Sequence, residues 1–235
     1  LAAAFWPGPL TMVVPKSDVV FGSVTGGLDS VGLRSPAHPI AAEILRRLGR
    51  GLAAPSANRY GHVSPTSARH VLDDLGGRIE AVLDAGSSTV GVESTIVEVA
   101  VDGKVELLRR GAITVDQICD VVGADIVDRT VGPVRAPGMV LSHYAPTAPV
   151  EVVEVDDLSN RVLALDASVL VISCVPVDHK RVVVLEGDRA FAAGLYDALR
   201  QGDDPEVSAV IVVPPIRGEL APAIRDRLTR AAHRE

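Results

Sequence analysis

Four short runs rich in β-branched residues in the last third of the chain leave it little freedom in how to fold. They are Val150–Val155, Val169–Cys174, Val182–Leu185 and Ala209–Val213. Two helical patterns interleave with them. Ala190–Arg200 sets Phe191, Leu195 and Leu199 on one stripe, and Ala221–Ala232 is the second. Strands alternating with helices bury both faces of a sheet when the strands run parallel, so a small, largely parallel α/β domain is expected over 150–235. No glycine-rich phosphate fingerprint follows its first strand, and cofactor binding is not indicated there.

Upstream, the segment 124–149 changes character. Pro133, Pro137, Gly138, Pro146 and Pro149 punctuate it, with Ser142-His143-Tyr144-Ala145-Pro146 inside. That much proline makes a stiff linker. Residues 1–123 then form a domain of their own. In it, Phe5-Trp6-Pro7-Gly8-Pro9 is a rigid turn into a strand at Leu10–Val14, with Trp6 as a packing residue. Ser23–Ser30 reads as a mobile glycine-rich loop. Val31–Arg34 is a short strand that delivers Arg34 just before Ser35-Pro36, placed either to grip an anion bidentately or to sit in water. His38–Arg50 is an amphipathic helix with Ile40, Ile44, Leu45 and Leu48 inward. Strands follow at Ile79–Leu83 and Gly91–Val101, and Asp102-Gly103 turns the second back into Val105–Leu108. Thr114 and Gln117 have capping-box spacing for a helix through Val122. The chain opens Leu1-Ala2-Ala3-Ala4-Phe5 inside an uncapped helix, as expected of a domain lacking its first part.

A net charge of −7 argues against a nucleic-acid surface spread over the whole protein, and an aromatic content of 3% leaves the core to Val, Leu, Ile and Ala. Cys119 and Cys174 sit in apolar runs without a paired motif and are expected as reduced thiols. The six histidines show no metal-ligand spacing, and neither a Walker A motif nor a G-x-S-x-G elbow occurs. No apolar run approaches the ~18 residues of a membrane span.

The remaining constellation centres on Gly51–Asn58. It reads as an apolar strand stopped at Pro55, a turn exposing Ser56 and Asn58, and a helix entered at Ser64, with Pro65 as its first residue and Ala68, Val71, Leu72 and Leu75 on its stripe until Gly76-Gly77. Such a turn is either a nucleotide pocket beside free N–H groups or a capped helix after a polar loop. Arg34, Ser56, Ser94 and Arg109 all lie at strand ends, where α/β sheets tend to place ligand groups. Hydroxyls, an amide and arginines can orient and neutralise a charged substrate, but they form no covalent intermediate.

Phe5–Thr11, Gly32-Leu33-Arg34, Pro55–Asn58, Ser64-Pro65-Thr66, Glu93–Ile96, Leu108–Gly111 and the segment from Pro137 to Pro146 closely resemble the YrdC-like threonylcarbamoyl-AMP synthase family in its long, two-domain form. The resemblance covers essentially the whole chain in order. It implies an α/β protein: a YrdC-like twisted sheet domain over 1–123 with its N-terminal part missing, a Pro-rich linker and lid over 124–149, and a small Rossmann-like parallel domain over 150–235. It implies condensation of L-threonine, bicarbonate and ATP to threonylcarbamoyl-adenylate, with Mg2+ on the ATP. Downstream proteins would then carry the group to tRNA, an indirect partner, in the cytoplasm and without a membrane. On the same analogy Ser56, Asn58 and Arg34 are catalytic, and Arg34, Ala54 and Ser94 bind threonine. Ser30, Ser56, Ser64, Arg109 and Tyr144 bind ATP, with Tyr144 closing over the pocket. The family's K-x-R element precedes the Phe-Trp-Pro-Gly-Pro segment and does not occur in these residues, so the 235-residue chain alone is expected to be nearly inactive. Two rivals stand beside this reading, a non-catalytic RNA-binding YrdC-like module and a carbamoyltransferase accessory domain. The synthase reading requires Arg34, Ser56, Asn58, Ser94 and Arg109 to line a common cavity.

Overall fold

The structure, a computed structural model, describes residues 1–130, 144–158, 161 and 165–233. They fall into two compact units: Leu1–Pro55 with 93–130, and Ser56–Val92 with 144–233. Compactness therefore cuts across the sequence boundary, because Ser56–Val92 groups with the C-terminal residues. Most of the expected linker, with Pro133, Pro137, Gly138, Ser142 and His143, lies outside the described residues.

The first unit is built on a five-stranded sheet in the order β2-β1-β3-β4-β5, namely β1 (Leu10–Pro15), β2 (Ser30–Leu33), β3 (Thr95–Val99), β4 (Val105–Arg109) and β5 (Val127–Asp128). β1 runs antiparallel to β2 and parallel to β3, β3 antiparallel to β4, and β4 parallel to β5. Strand alternation divides the apolar side chains between two clusters. Leu10, Val97, Val105 and Leu107 share one with Ile118, while Val13, Ile96 and Leu108 form the other. Each such buried side chain contributes about 2 kcal/mol of transfer free energy. Ile118 comes from a helix at Val115–Val122, whose N-terminus carries the expected capping box of Thr114 and Gln117. The hairpin between β3 and β4 turns at Asp102-Gly103, with Gly103 at φ 84° and the Asp102 carboxylate accepting from the Lys104 N–H.

Three expectations fail in this unit. The Ser23–Ser30 loop contains a single helical turn at Gly22–Thr25. The helix observed at Pro39–Leu48 buries no residue, and Ile40, Ile44 and Leu48 of its apolar row are 41%, 37% and 43% exposed. Gly51–Ala54 is exposed coil, not a strand, since no neighbour among the described residues offers it a ladder.

The second unit holds the parallel sheet in the order β6-β9-β7-β8: β6 (Val150–Val152), β7 (Val169–Ser173), β8 (Val182–Val184) and β9 (Ala209–Val213). Every pairing is parallel. Call the eight-residue helix at Ala68–Leu75 α1, that at Gly187–Arg200 α2, and that at Ala221–Ala232 α3. Phe191, Leu195 and Leu199 of α2 are fully buried, as their stripe predicts, and so are Ile224 and Leu228 of α3. Cys119 in the first unit and Cys174 here are free thiols, and burial pushes the Cys174 thiol up.

Ser56–Val92 meets this unit at α1, where Asp74 pairs with Arg200 and His70 with Asp197, and at its own end. Gly91, at φ 79°, passes so close to α2 that a Cβ there would lie 1.9 Å from the Ala192 carbonyl oxygen and 2.4 Å from the Ala193 Cα. Two sequence expectations fail here. Ile79–Leu83 is coil, with no ladder among the described residues. The helix begins at Ala68 with Ser67 as N-cap, not at Ser64. The Thr66 N–H is taken by the His70 ring instead, at 3.2 Å, so the chain through Ser64-Pro65-Thr66 stays non-helical.

Candidate functional site

Strand register brings one group of expected residues to one edge of the first sheet. β1 and β3 begin there and β2 and β4 end there, because Leu10 pairs with Thr95, Met12 with Leu33 and Ile96 with Arg109. Arg34, Thr11, Ser94 and Arg109 thus share that edge. Ser30 does not, since it pairs with Pro15 at the far end of β2, roughly 10 Å along the strand from Leu33. Arg34 is exposed just past the end of β2.

Ser94 is 4% exposed and is held from several sides. Its hydroxyl lies 2.8 Å from the Thr11 hydroxyl, and the Arg109 guanidinium donates to its carbonyl oxygen at 2.9 and 3.1 Å and to its hydroxyl at 3.1 Å. Next to it, Thr95 exchanges hydrogen bonds with the Ile113 backbone at 2.7 and 3.0 Å. The two chains can approach this closely because residue 111 is glycine. A Cβ at Gly111 would stand 2.4 Å from both the Glu93 oxygen and the Thr95 nitrogen. Arg109 was expected on ATP, yet these donors of its guanidinium go to Ser94, so its visible role is to fix that serine. Thr11 was missed, although it closes the Phe5–Thr11 run that sequence singled out.

The second unit carries the Ser56–Asn58 turn. Ser56 is exposed, and Ala57 adopts φ 58°, a left-handed conformation costly for a residue with a Cβ. Asn58 Nδ2 donates to the carbonyl oxygens of Arg59 at 2.9 Å and His62 at 3.0 Å. That fixes the amide's orientation and leaves Oδ1 buried with no partner among the described residues. A buried acceptor without a donor is costly, and it is where a ligand N–H or hydroxyl fits. Ser64 is buried a few residues on, at 5% exposure. Ala54 is exposed at the end of the first unit's coil.

Tyr144, expected to close over the pocket, is packed against the C-terminal helices. It is 1% exposed, with φ 66°, stacked on Tyr196 at 5.4 Å between ring centroids and with the Arg227 guanidinium 5.4 Å from its own ring centroid. Arg227 and Arg230 both pair with Asp226 beneath it. The neighbouring Ala145 N–H donates to the Gly61 carbonyl at 3.3 Å, so the residue after Tyr144 is tied to the Asn58 loop.

Charge is concentrated where α1 meets α2. Burial pushes the Asp74 carboxyl up, but the hydrogen bond and charge of Arg200, with those of Arg59, outweigh it and hold the group below its ordinary range. His70 is pushed down by burial and by Arg200, against the pull of Asp197 at 3.1 Å. Among the described residues, no group of three or more His, Cys, Asp or Glu side chains could hold a metal.

Residues 1–111 match the Sua5/YciO/YrdC family, described as "Telomere recombination", and residues 113–233 match "Threonylcarbamoyl-AMP synthase, C-terminal domain". The chain belongs to the two-domain threonylcarbamoyl-AMP synthase family. It is 39% identical to the threonylcarbamoyl-AMP synthase of Pyrococcus abyssi over 248 residues, 99% of this chain and 72% of that protein. The Bacillus subtilis synthase is likewise 39% identical, over 249 residues, with the same shares. A crystal structure of P. abyssi Sua5 complexed with L-threonine superposes with a TM-score of 0.90 at 38% identity, covering 98% of this chain and 72% of that one. The YrdC-like sheet domain and the parallel α/β domain expected from sequence are thus shared with synthases. Among the described residues, no helix is long and apolar enough to cross a membrane.

Proposed function

We propose that this chain serves the making of threonylcarbamoyl-adenylate from L-threonine, bicarbonate and ATP, with a phosphate-binding K-x-R element that these residues do not contain. The observation that carries the reading is the Ser56–Asn58 turn, where strain at Ala57 and an orphaned Asn58 Oδ1 sit within a synthase-family chain. Backbone strain and unpaired buried polar atoms persist where a ligand repays their cost.

The chemistry needs positioning and no protein nucleophile. The amine of threonine adds to carbon dioxide derived from bicarbonate, forming a C–N bond and releasing a proton and, overall, water. A carbamate oxygen then attacks the α-phosphorus of ATP, and the bond to the β-phosphate oxygen breaks to release pyrophosphate. Such an in-line displacement rests on alignment and charge neutralisation. Arg34 and Ser94 serve the threonine side, with the backbone at Ala54. Ser56 and Asn58 orient the reacting phosphate and carbamate, Ser64 serves the nucleotide, Arg109 acts by holding Ser94, and Ser30, at the far end of β2, takes no part. Mg2+ arrives on the triphosphate, mostly water-coordinated, and needs no carboxylate cage. Tyr144 acts from its stacked position, by anchoring the chain beside the Asn58 loop. The product passes to downstream proteins that modify tRNA, in the cytoplasm.

The match of residues 113–233 to the synthase C-terminal domain favours a free-standing synthase over a carbamoyltransferase accessory domain, and the −7 charge counts against an RNA-binding module. The test is pyrophosphate release from ATP by the protein. It should require both threonine and bicarbonate, and Asn58→Ala should lower it about 100-fold. Release that is indifferent to threonine, or untouched in the variant, would overturn the reading.

A further inference from the structure

The Asn58 turn belongs to no helix or strand, so its geometry has to be held by side chains. One that reaches it from the C-terminal α/β domain is Arg200, the last residue of α2. Its side chain is 11% exposed, and one terminal nitrogen donates both to the Val63 carbonyl oxygen at 2.5 Å and to Asp74 Oδ2 at 2.8 Å. Asp74 is the one buried residue of α1, its side chain 3% exposed. Its other oxygen accepts from Arg59 Nε at 3.4 Å.

Arg59 follows Asn58 directly, and Val63 follows His62. The carbonyls of Arg59 and His62 are the two acceptors of Asn58 Nδ2, and the His62 N–H donates back to the Arg59 carbonyl at 3.1 Å. Arg200 and its carboxylate therefore hold the chain at both flanks of the turn that sets the Asn58 amide. A second contact lies one helical turn away on each helix, where His70 meets Asp197. For stability alone, well-packed apolar side chains at 74 and 200 would serve as well or better. What a guanidinium–carboxylate pair adds is direction.

We propose that Arg200 is a positioning residue through which the C-terminal domain presents Asn58 Oδ1 to the substrate. This gives the second domain a part in the reaction without a ligand site of its own, and it rests on the assignment of Asn58 to substrate above. Arg200→Met loosens residues 59–63 and lets the Asn58 amide rotate. Arg200→Lys keeps one charged donor and restores part of the hold.

The test compares Arg200→Met, Arg200→Lys and a control on the same helix, Arg189→Met, which loses only an exposed pair with Glu219. Amide exchange is followed at His62, with the Asn58 side-chain NH2 resonances and the steady-state kinetics of the full chain. Arg200→Met should speed His62 exchange about tenfold and lower kcat more than it raises the KM for threonine. Lysine should recover part of both, and the control should change neither. Should Arg200→Met not fold cooperatively, Arg200→Lys and Asp74→Asn carry the same readouts. The proposal is overturned if His62 exchange and the Asn58 resonances match the wild type in the variants that fold, or if kcat holds while the turn loosens. If the wild type makes no adenylate yet Arg200 still controls the turn, the synthase reading falls and the mechanical link stands.

Discussion

Ser94 and Asn58 are held by unlike means. Ser94 stands at the mouth of a sheet, fixed by the β1–β3 and β3–β4 ladders, the Arg109 guanidinium and the Thr11 hydroxyl. Asn58 sits on a loop without a ladder, held by its own Nδ2 bonds and by a charged pair reaching in from α1 and α2. The first arrangement follows from the backbone and has little to lose with pH. The second depends on groups that titrate, and it leaves a polar atom in want of a partner. A strand edge suits the side of the reaction that only binds. A side-chain-held loop suits groups that must meet changing charge.

The largest expected effect that separates the two regions comes from Arg109→Met. It strips donors from the buried Ser94 carbonyl and hydroxyl, at a cost of about 2 kcal/mol in stability. Amide exchange should quicken at Thr95–Val99 and stay unchanged at 59–66. Equal loss of protection in both segments would break the comparison.

Acid should do the reverse. The folded pKa of His70 lies below its ordinary 6.5, so in the folded state it binds protons less readily than in the unfolded chain. Its contribution is complete above pH 6.5 and is lost as pH falls below that value. Protonation also puts a second N–H where the Thr66 N–H already donates to Nδ1. Asp74, likewise depressed, contributes above 3.8 and fails as pH drops below it. Protection at 59–66, corrected for intrinsic exchange rates, should therefore fall in two steps between pH 7 and pH 3. Around Ser94 it should fall less, because Arg109 and the Thr11 hydroxyl, which hydrogen-bond that serine, do not titrate in that range. The smallest effect sharpens the contrast. Arg189→Met removes an exposed pair and should cost at most about 0.5 kcal/mol in a denaturant titration, with neither region disturbed.

Sequence patterns made the C-terminal sheet legible because its strands carry their own periodicity and lie between helices with clear stripes. The Thr114–Gln117 capping box and the Asp102-Gly103 turn were equally local. Ser94 and Arg109 were legible as strand ends, and the register then brought them together. The failures share a physical cause. Gly51–Ala54 and Ile79–Leu83 are apolar enough for strands, but a strand needs a neighbour, and none of the described residues supplies one. The start of α1 depended on a histidine ring capturing the Thr66 N–H. The burial of Asp74 had no local signal, because its partner Arg200 lies 126 residues along the chain. The lid role of Tyr144 came from the family resemblance alone, and no local pattern foretold that its ring stacks on Tyr196 beside Arg227.

Gly91 carries a consequence for how such a chain can be recombined. Any side chain at that position drives into the peptide of Ala192, so residue 91 and the middle of α2 have to be inherited as a matched pair. A chimaera that joins the first 150 residues of one relative to the C-terminal part of another inherits that constraint across its seam. Grafts should succeed where the donor helix leaves room for a bare backbone, and fail where its path is shifted by even an ångström.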